Sequence, residues 1–418
     1  MVVVYFIPQK VIGESQWGLF TISQAFITIM YLLSDGFALQ IMVNFGVREQ
    51  HRRQATSVAA ILSFLFLSVF TAMIYFGREV IADITSKPEL IPILGVFPLV
   101  ALGFFVRNFT LKTAQLRIDT RGTFFIDAAW VGTSALLFAL GWSNGWLVDA
   151  VDMMYVSAAA AGFSSIIGVI VYGRYIRFTF NFDWLLLRRM VRFGIGQFGS
   201  AATMALQAQG DLLILGTLVG SATVGNYDVA KKFFRGFEGI RDAGALFIYP
   251  AVARLSAQGR LDELKTMVEK MIAFMGITIF PIVLLIWVGP IELIFSFVFK
   301  ESFREAPALF RIMSLAALAI PFSMNSYVLL GMSKVRKLFT ITFTSVVFFF
   351  ATALLLVPSI GVTGQAIAIV VTFWTLGVLA IFTVRKELPI TMAGILSHWR
   401  DPLEFARSVM QRLRRSGK

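Results

Sequence analysis

The stretch VGNYDVAKKFFRGFEGIRDAG, residues 224–244, sets seven charged side chains between two long apolar runs. They are Asp228, Lys231, Lys232, Arg235, Glu238, Arg241 and Asp242. At ~100° per residue, all but Arg241 fall within roughly 120° of one helix face. Phe233, Phe237 and Ile240 fall opposite. Asp228 and Lys232 are four residues apart and can neutralise each other, whereas Lys231 and Arg235 share that spacing and one sign. The residual positive potential of Lys231, Lys232 and Arg235 suits an anion. Lysine offers a mobile point charge, and arginine a fork that matches phosphate oxygens. A lipid-linked sugar with a pyrophosphate group is such an anion. Two other readings stay open: salt bridges that only hold helices together, and proton or ion coupling through Asp228, Glu238 or Asp242. Arg241, off the stripe, is placed to snorkel toward the nearer membrane face.

Other charges in apolar surroundings are fewer. Asp211 follows Gln207 by four residues, with Gln197 on the same face and Gln209 beside it, which suits a polar cavity lining or an interhelical hydrogen-bond network. Asp35 precedes Gly36 and could serve coupling, line a cavity or pair with a neighbouring helix. Arg107, Lys112 and Arg117, with Asp119 and Arg121, suit a cytoplasmic mouth or ordinary loop charge. Cysteine is absent, and the two histidines, His51 and His398, lie far apart in hydrophilic segments, so no metal site is expected. No GxxxxGK[ST] phosphate loop or paired-acid motif occurs, so no catalytic residue is assigned and no enzyme activity is expected.

The elements that must position these residues are membrane spans. The chain is 57% hydrophobic and 15% charged, against about 25% charged in soluble domains. Its mean hydropathy is +0.78. Apolar runs long enough to cross a bilayer read as eleven spans: 18–44, 57–76, 90–110, 124–141, 151–173, 193–219, 224–250, 267–288, 305–330, 338–357 and 361–384. The segment 288–304 reads as re-entrant or interfacial. Every second loop is rich in lysine and arginine: 45–56, 107–121, 174–192, 251–266, 331–337 and the tail. Loops 77–89, 142–150 and 220–223 are not. Basic loops face the cytoplasm, so the C-terminus is expected there and residue 17 outside. The net charge of +13 then reflects loop sidedness rather than nucleic-acid binding. The alternation requires 224–250 to cross the membrane despite its charges.

The basic segment 176–192 divides the chain into an N-terminal bundle, 1–175, and a six-helix bundle, 193–385. The first bundle is shorter by about one span, and its opening MVVVYFIPQKVIG reads as the end of an incomplete first helix. Asp35 and Asp211 take similar places late in the first helix of each part, as in a repeated transporter plan. Pro250, Pro281 and Pro321 can kink their spans. The basic tail, 386–418, can lie on anionic lipid or remain solvated.

Three segments carry a family resemblance. GDLLILGTLVGSATVGNYDVAKKFFRGFEGIRDAGALFIYPAVARLSAQG, 210–259, resembles the bacterial polysaccharide flippases of the multidrug/oligosaccharidyl-lipid/polysaccharide exporter superfamily. WGLFTISQAFITIMYLLSDGF, 17–37, resembles the second helix of that family, and YVLLGMSKVRK, 327–337, the end of its tenth. The chain departs from the family at its start, where only the end of a first helix remains. The resemblance implies an all-α polytopic membrane protein of two bundles around a central cavity. It implies translocation of undecaprenyl-pyrophosphate-linked oligosaccharide across the bacterial inner membrane, for O-antigen, capsule or exopolysaccharide synthesis. It places substrate contact on Lys231, Lys232 and Arg235, with Asp211 second. No cofactor is implied; coupling to a proton or sodium gradient is, as are membrane lipids and glycan polymerase or glycosyltransferase partners. The alternatives are a multidrug or cation antiporter of the same superfamily, and a transport-inactive interaction protein of a cell-envelope complex.

Overall fold

The computed structural model describes residues 12–46, 48–117, 119–299 and 301–398, and these form helices and connecting turns with no strand among them. Residues 1–11 of the segment expected to end a first helix, and 399–418 of the basic tail, lie outside the described residues. Two compact units divide the chain: residues up to Asp228 with Val298–Phe303, and Val229–Phe297 with everything from Arg304 on.

In the first unit, α1 (Glu14–Gly46) contains a π-helical turn at Asp35–Leu39. It is followed by α2 (Glu49–Phe76), the short α3 (Arg78–Thr85) and α4 (Leu90–Gly95), α5 (Phe97–Leu116), α6 (Thr120–Asn144), α7 (Ala150–Tyr172) and α8 (Trp184–Leu218). Helix α9 (Ser221–Ala257) begins in the first unit and continues in the second. The second unit adds α10 (Leu261–Val288), α11 (Ile291–Val298), α12 (Ala306–Ala317), α13 (Ile320–Gly331), α14 (Val335–Ile360), α15 (Val362–Arg385) and α16 (Met392–Ser397).

All eleven expected spans fall on helices. Seven are long and apolar enough to cross a bilayer on composition alone, and an eighth is the α12–α13 pair, bent by 43° just before Pro321. The other three are the broken α4–α5 and the polar α8 and α9. Pro250 and Pro281 lie inside continuous helices. The segment expected to be re-entrant forms α11 and a single 3₁₀ turn.

The division between units does not fall at the basic segment 176–192. Helix α8 packs on α1 through small residues: Gly36 faces Ala201, Gly194 faces the Phe37 carbonyl and Gly216 faces Ile22. Loop charge records the side of the membrane, whereas glycine and alanine faces decide which helices can approach. Several loop acids are helix caps. Asp119 accepts from the Gly122 amide at 3.0 Å and Asp183 from the Leu185 amide at 2.9 Å. Asp149 and Asp152 form a capping box at the start of α7.

The ends of the first unit sort by loop charge. At one end the Ala150 amide donates to Gln16, and buried Lys87 donates to the carbonyls of Gly216 and Val219 at 2.6 and 2.9 Å. This end gathers the loops that are not basic. Lys87 there neutralises the carbonyl end of α8, although burial lowers its pKa. At the other end Gln54 donates to the Asp183 carbonyl, Ser57 accepts from the Thr179 amide, and Arg117 stacks over Tyr175. The loops there are the basic ones. Because the chain has no cysteine, single probes at the two ends have no background. Ser143→Cys and Asn181→Cys are expected to label from opposite sides of the membrane with an impermeant maleimide. Labelling of both from one side would contradict this arrangement.

Candidate functional site

Helix α9 realises the charged face as one uninterrupted element. Its charges do not share one environment. Asp228 is 4% exposed and accepts hydrogen bonds from Trp17 Nε1 at 3.0 Å and Thr21 Oγ1 at 3.2 Å. Lys231 is buried and Lys232 half-buried, whereas Arg235 is exposed and makes no ion pair or hydrogen bond among the described residues. On the opposite face, Phe233 and Phe237 join Phe295 and Phe310 in an aromatic cluster of the second unit, with Phe233 and Phe295 stacked at 4.6 Å. Phe234 meets Phe373 edge-on. This cluster fixes the rotation of α9 and leaves Arg235 outward.

Arg241 is held by local contacts. Its guanidinium pairs with Asp242 at 3.0 Å and lies 5.7 Å from the Phe373 ring, and the Tyr327 hydroxyl reaches Asp242 at 3.5 Å. The ring and the adjacent carboxylate hold the charge locally. Glu238 lies near the same guanidinium. Asp211 is 2% exposed and accepts from the Tyr227 hydroxyl at 2.6 Å, which fastens α8 to the start of α9. Gln207, expected on the same lining, is exposed instead. Asp211 thus joins α8 to the start of α9.

Arg107 and Lys112 lie on α5, Lys112 about one turn before its end, and both are buried. Lys112 pairs with Asp35 at 2.7 Å, and Gln40 donates to the other Asp35 oxygen at 3.0 Å. Asp35 opens the π-helical turn of α1. Arg107 pairs with Asp127 of α6, donates to Asn108 and lies 4.6 Å over the Trp130 ring. The physical reason is the cost of a cation in hydrocarbon, which an adjacent carboxylate offsets. Arg117 stays at the basic end, on Tyr175. Asp119 beside it is held below the usual carboxylate range, chiefly by the Gly122 amide and then by the Tyr172 hydroxyl.

Two acids with partners on other elements were not singled out from sequence. Asp127 is a lone acid inside an apolar run, and a hydropathy window absorbs it. The basic residues of α5 were the available signal, because buried cations require a partner. Glu269 is buried in α10 and accepts from the Thr391 amide at 3.0 Å, which ties α16 to the second unit.

The motifs WGLF and VGNY meet in the first unit. A Cβ at Gly18 would lie 1.8 Å from the Ser221 carbonyl oxygen, and one at Gly225 would lie 2.2 Å from the Glu14 carbonyl oxygen. Only glycine permits this approach of α1 to α9, and the Trp17–Asp228 hydrogen bond lies beside it.

Taken together, the helix count, the paired intramembrane charges and the polar-faced α9 define a polytopic membrane protein with a transporter fold. Residues 10–306 match a family described as polysaccharide biosynthesis protein. The chain belongs to that family. No curated protein matches the sequence. The solved structure of lipid II flippase MurJ in an inward closed conformation is similar, with a TM-score of 0.76 at 11% identity over 98% of this chain and 90% of that one. An inward-facing multidrug resistance transporter of the MATE family and MOP superfamily gives 0.72 at 15% identity, over 93% and 94% of the two chains. A Vibrio cholerae MATE transporter gives 0.60 at 12% identity, over 90% and 95%. At these identities the likeness is one of fold.

Removing one member of a buried pair strands the other, at a cost of about 3–5 kcal/mol. Asp35→Asn is therefore expected to lower the melting temperature sharply, and Asp35→Asn with Lys112→Met to recover most of the loss. Purely additive losses in the double variant would show that the pair is not coupled.

Proposed function

We propose that the protein is a flippase. It moves polyprenyl-pyrophosphate-linked oligosaccharide across the bacterial inner membrane by alternating access, in O-antigen, capsule or exopolysaccharide synthesis. The family match supports the polysaccharide setting, and the fold shared with a lipid II flippase supports a lipid-linked cargo. The observation that carries the reading is Arg235, an exposed guanidinium within the span-length part of α9 that no carboxylate of the described residues engages. A diphosphate offers it two oxygens in fork geometry. Lys231 and Lys232 add positive potential one turn away.

The protein acts as a transporter rather than an enzyme. The basic loops and C-terminus face the cytoplasm, following the charge asymmetry of the loops. A proton or sodium gradient supplies the driving force, with Asp228, Glu238 and Asp242 as the candidate coupling carboxylates. A glycan polymerase and glycosyltransferases work beside it, supplying or consuming the lipid-linked unit. A drug-cation antiporter requires acidic and aromatic lining at its site, and the exposed cation of α9 disfavours it.

Reconstituted in proteoliposomes, the protein is expected to move a fluorescent prenyl-pyrophosphate oligosaccharide between leaflets well above protein-free vesicles. Ethidium extrusion is expected to stay at background. Ethidium transport without glycan-lipid movement would replace this reading with drug export.

A further inference from the structure

A groove of about 340 Å³ lies between α2 and α5 in the first unit. Its walls include Phe64, Leu67, Thr71, Tyr75, Leu102 and Phe105. From Phe64 to Phe76 it follows about 18 Å of α2 at ~1.5 Å per residue, close to half of a ~30 Å hydrocarbon core. Toward its deep end, Leu67 and Phe105 also line a small gap with Tyr31 and Asn108. Its shallow end lies at the termini of α2 and α5 that meet the loops lacking basic character.

The walls give water few polar partners, and the Thr71 hydroxyl already points to Met30 Sδ at 3.9 Å. Within a membrane span this space is filled by hydrocarbon. Its volume holds roughly ten groups of about 30 Å³, the size of a water or a methylene. Arg78 stands at the shallow end, its guanidinium 4.5 Å over the Tyr75 ring. It makes no ion pair or hydrogen bond among the described residues. Glu79 and Asp83 are exposed and lie about 100° and 140° round α3 from it, so neither claims its charge.

We propose that this groove holds one acyl chain of an anionic glycerophospholipid of the leaflet at that end, with the headgroup phosphate on Arg78. The order of parts along the groove matches the order of parts in such a lipid. The cation stands at the loop end of the groove, and the apolar walls run from it along α2 and α5. Arginine pairs with a phosphate through two parallel N–H donors, and the Tyr75 ring keeps its plane in place. The site belongs to the first unit alone and does not depend on the cargo assigned above.

The test uses the purified full chain, delipidated in detergent and exchanged with phosphatidylglycerol or phosphatidylcholine, with bound lipid counted by native mass spectrometry. The parent is expected to retain one phosphatidylglycerol in preference to phosphatidylcholine. Arg78→Gln should weaken phosphatidylglycerol about tenfold, the scale of one charged hydrogen-bonded contact, and remove the preference. Ala72→Phe, which fills the groove from an exposed position, should abolish retention of both lipids. Unchanged melting temperatures in lipid-free detergent show that both variants fold. A phosphatidylglycerol with a diazirine at its chain end should cross-link to Leu67 or Phe105. Equal retention of both lipids by the parent, displacement by undecaprenyl phosphate at equal concentration, or cross-links scattered over other spans would overturn the proposal.

Discussion

An ionised group in hydrocarbon is tolerated only with a partner or with water, and this constraint organises the protein. The first unit meets it with partners. Lys112 has Asp35, Arg107 has Asp127 and two aromatic rings, and Asp228 has the indole of Trp17 and the hydroxyl of Thr21. Each pair also joins two helices, so the charges that would forbid insertion become the contacts that hold α1, α5, α6 and α9. Helix α9 departs from the rule at Arg235, and the functional reading follows from that departure.

Close backbone approach is the second organising feature. Glycine in WGLF and glycine in VGNY let α1 and α9 cross with carbonyls where a side chain would otherwise stand. WGLF and VGNY thus build a joint between α1 and the start of α9. Within the second unit, the phenylalanine cluster packs the face of α9 opposite Arg235.

Much of the fold was legible in sequence, because apolar run length and loop charge are one-dimensional properties. All eleven expected spans fall on helices, and the loops of the first unit sort to two ends by charge. Pairing across helices was not legible. Arg107 and Lys112 read as mouth or loop charges because the span is weakly apolar where they enter it, and their partners lie on other helices. Asp127 was hidden by its apolar neighbours. Asp35 and Asp211, similar in local sequence, diverge in structure: one opens a π-helical turn beside a lysine, the other accepts from a tyrosine in a regular helix. The contact-defined units divide at Asp228 rather than at the basic segment 176–192, because glycine and alanine contacts pack α8 on α1. For the candidate site, the face of α9 was readable from its spacing, whereas the different burial of its members was not.

The central claim is that Arg235 offers its charge to a diphosphate. A charge series at this exposed position measures it most directly, with glycan-lipid transport read in proteoliposomes and folding checked by melting temperature. The account predicts that Arg235→Lys keeps most of the rate. Arg235→Gln should lose about tenfold, the scale of one charged hydrogen bond, and Arg235→Glu should lose transport altogether while remaining folded. Equal rates across the series would contradict it and leave the α9 face a structural one.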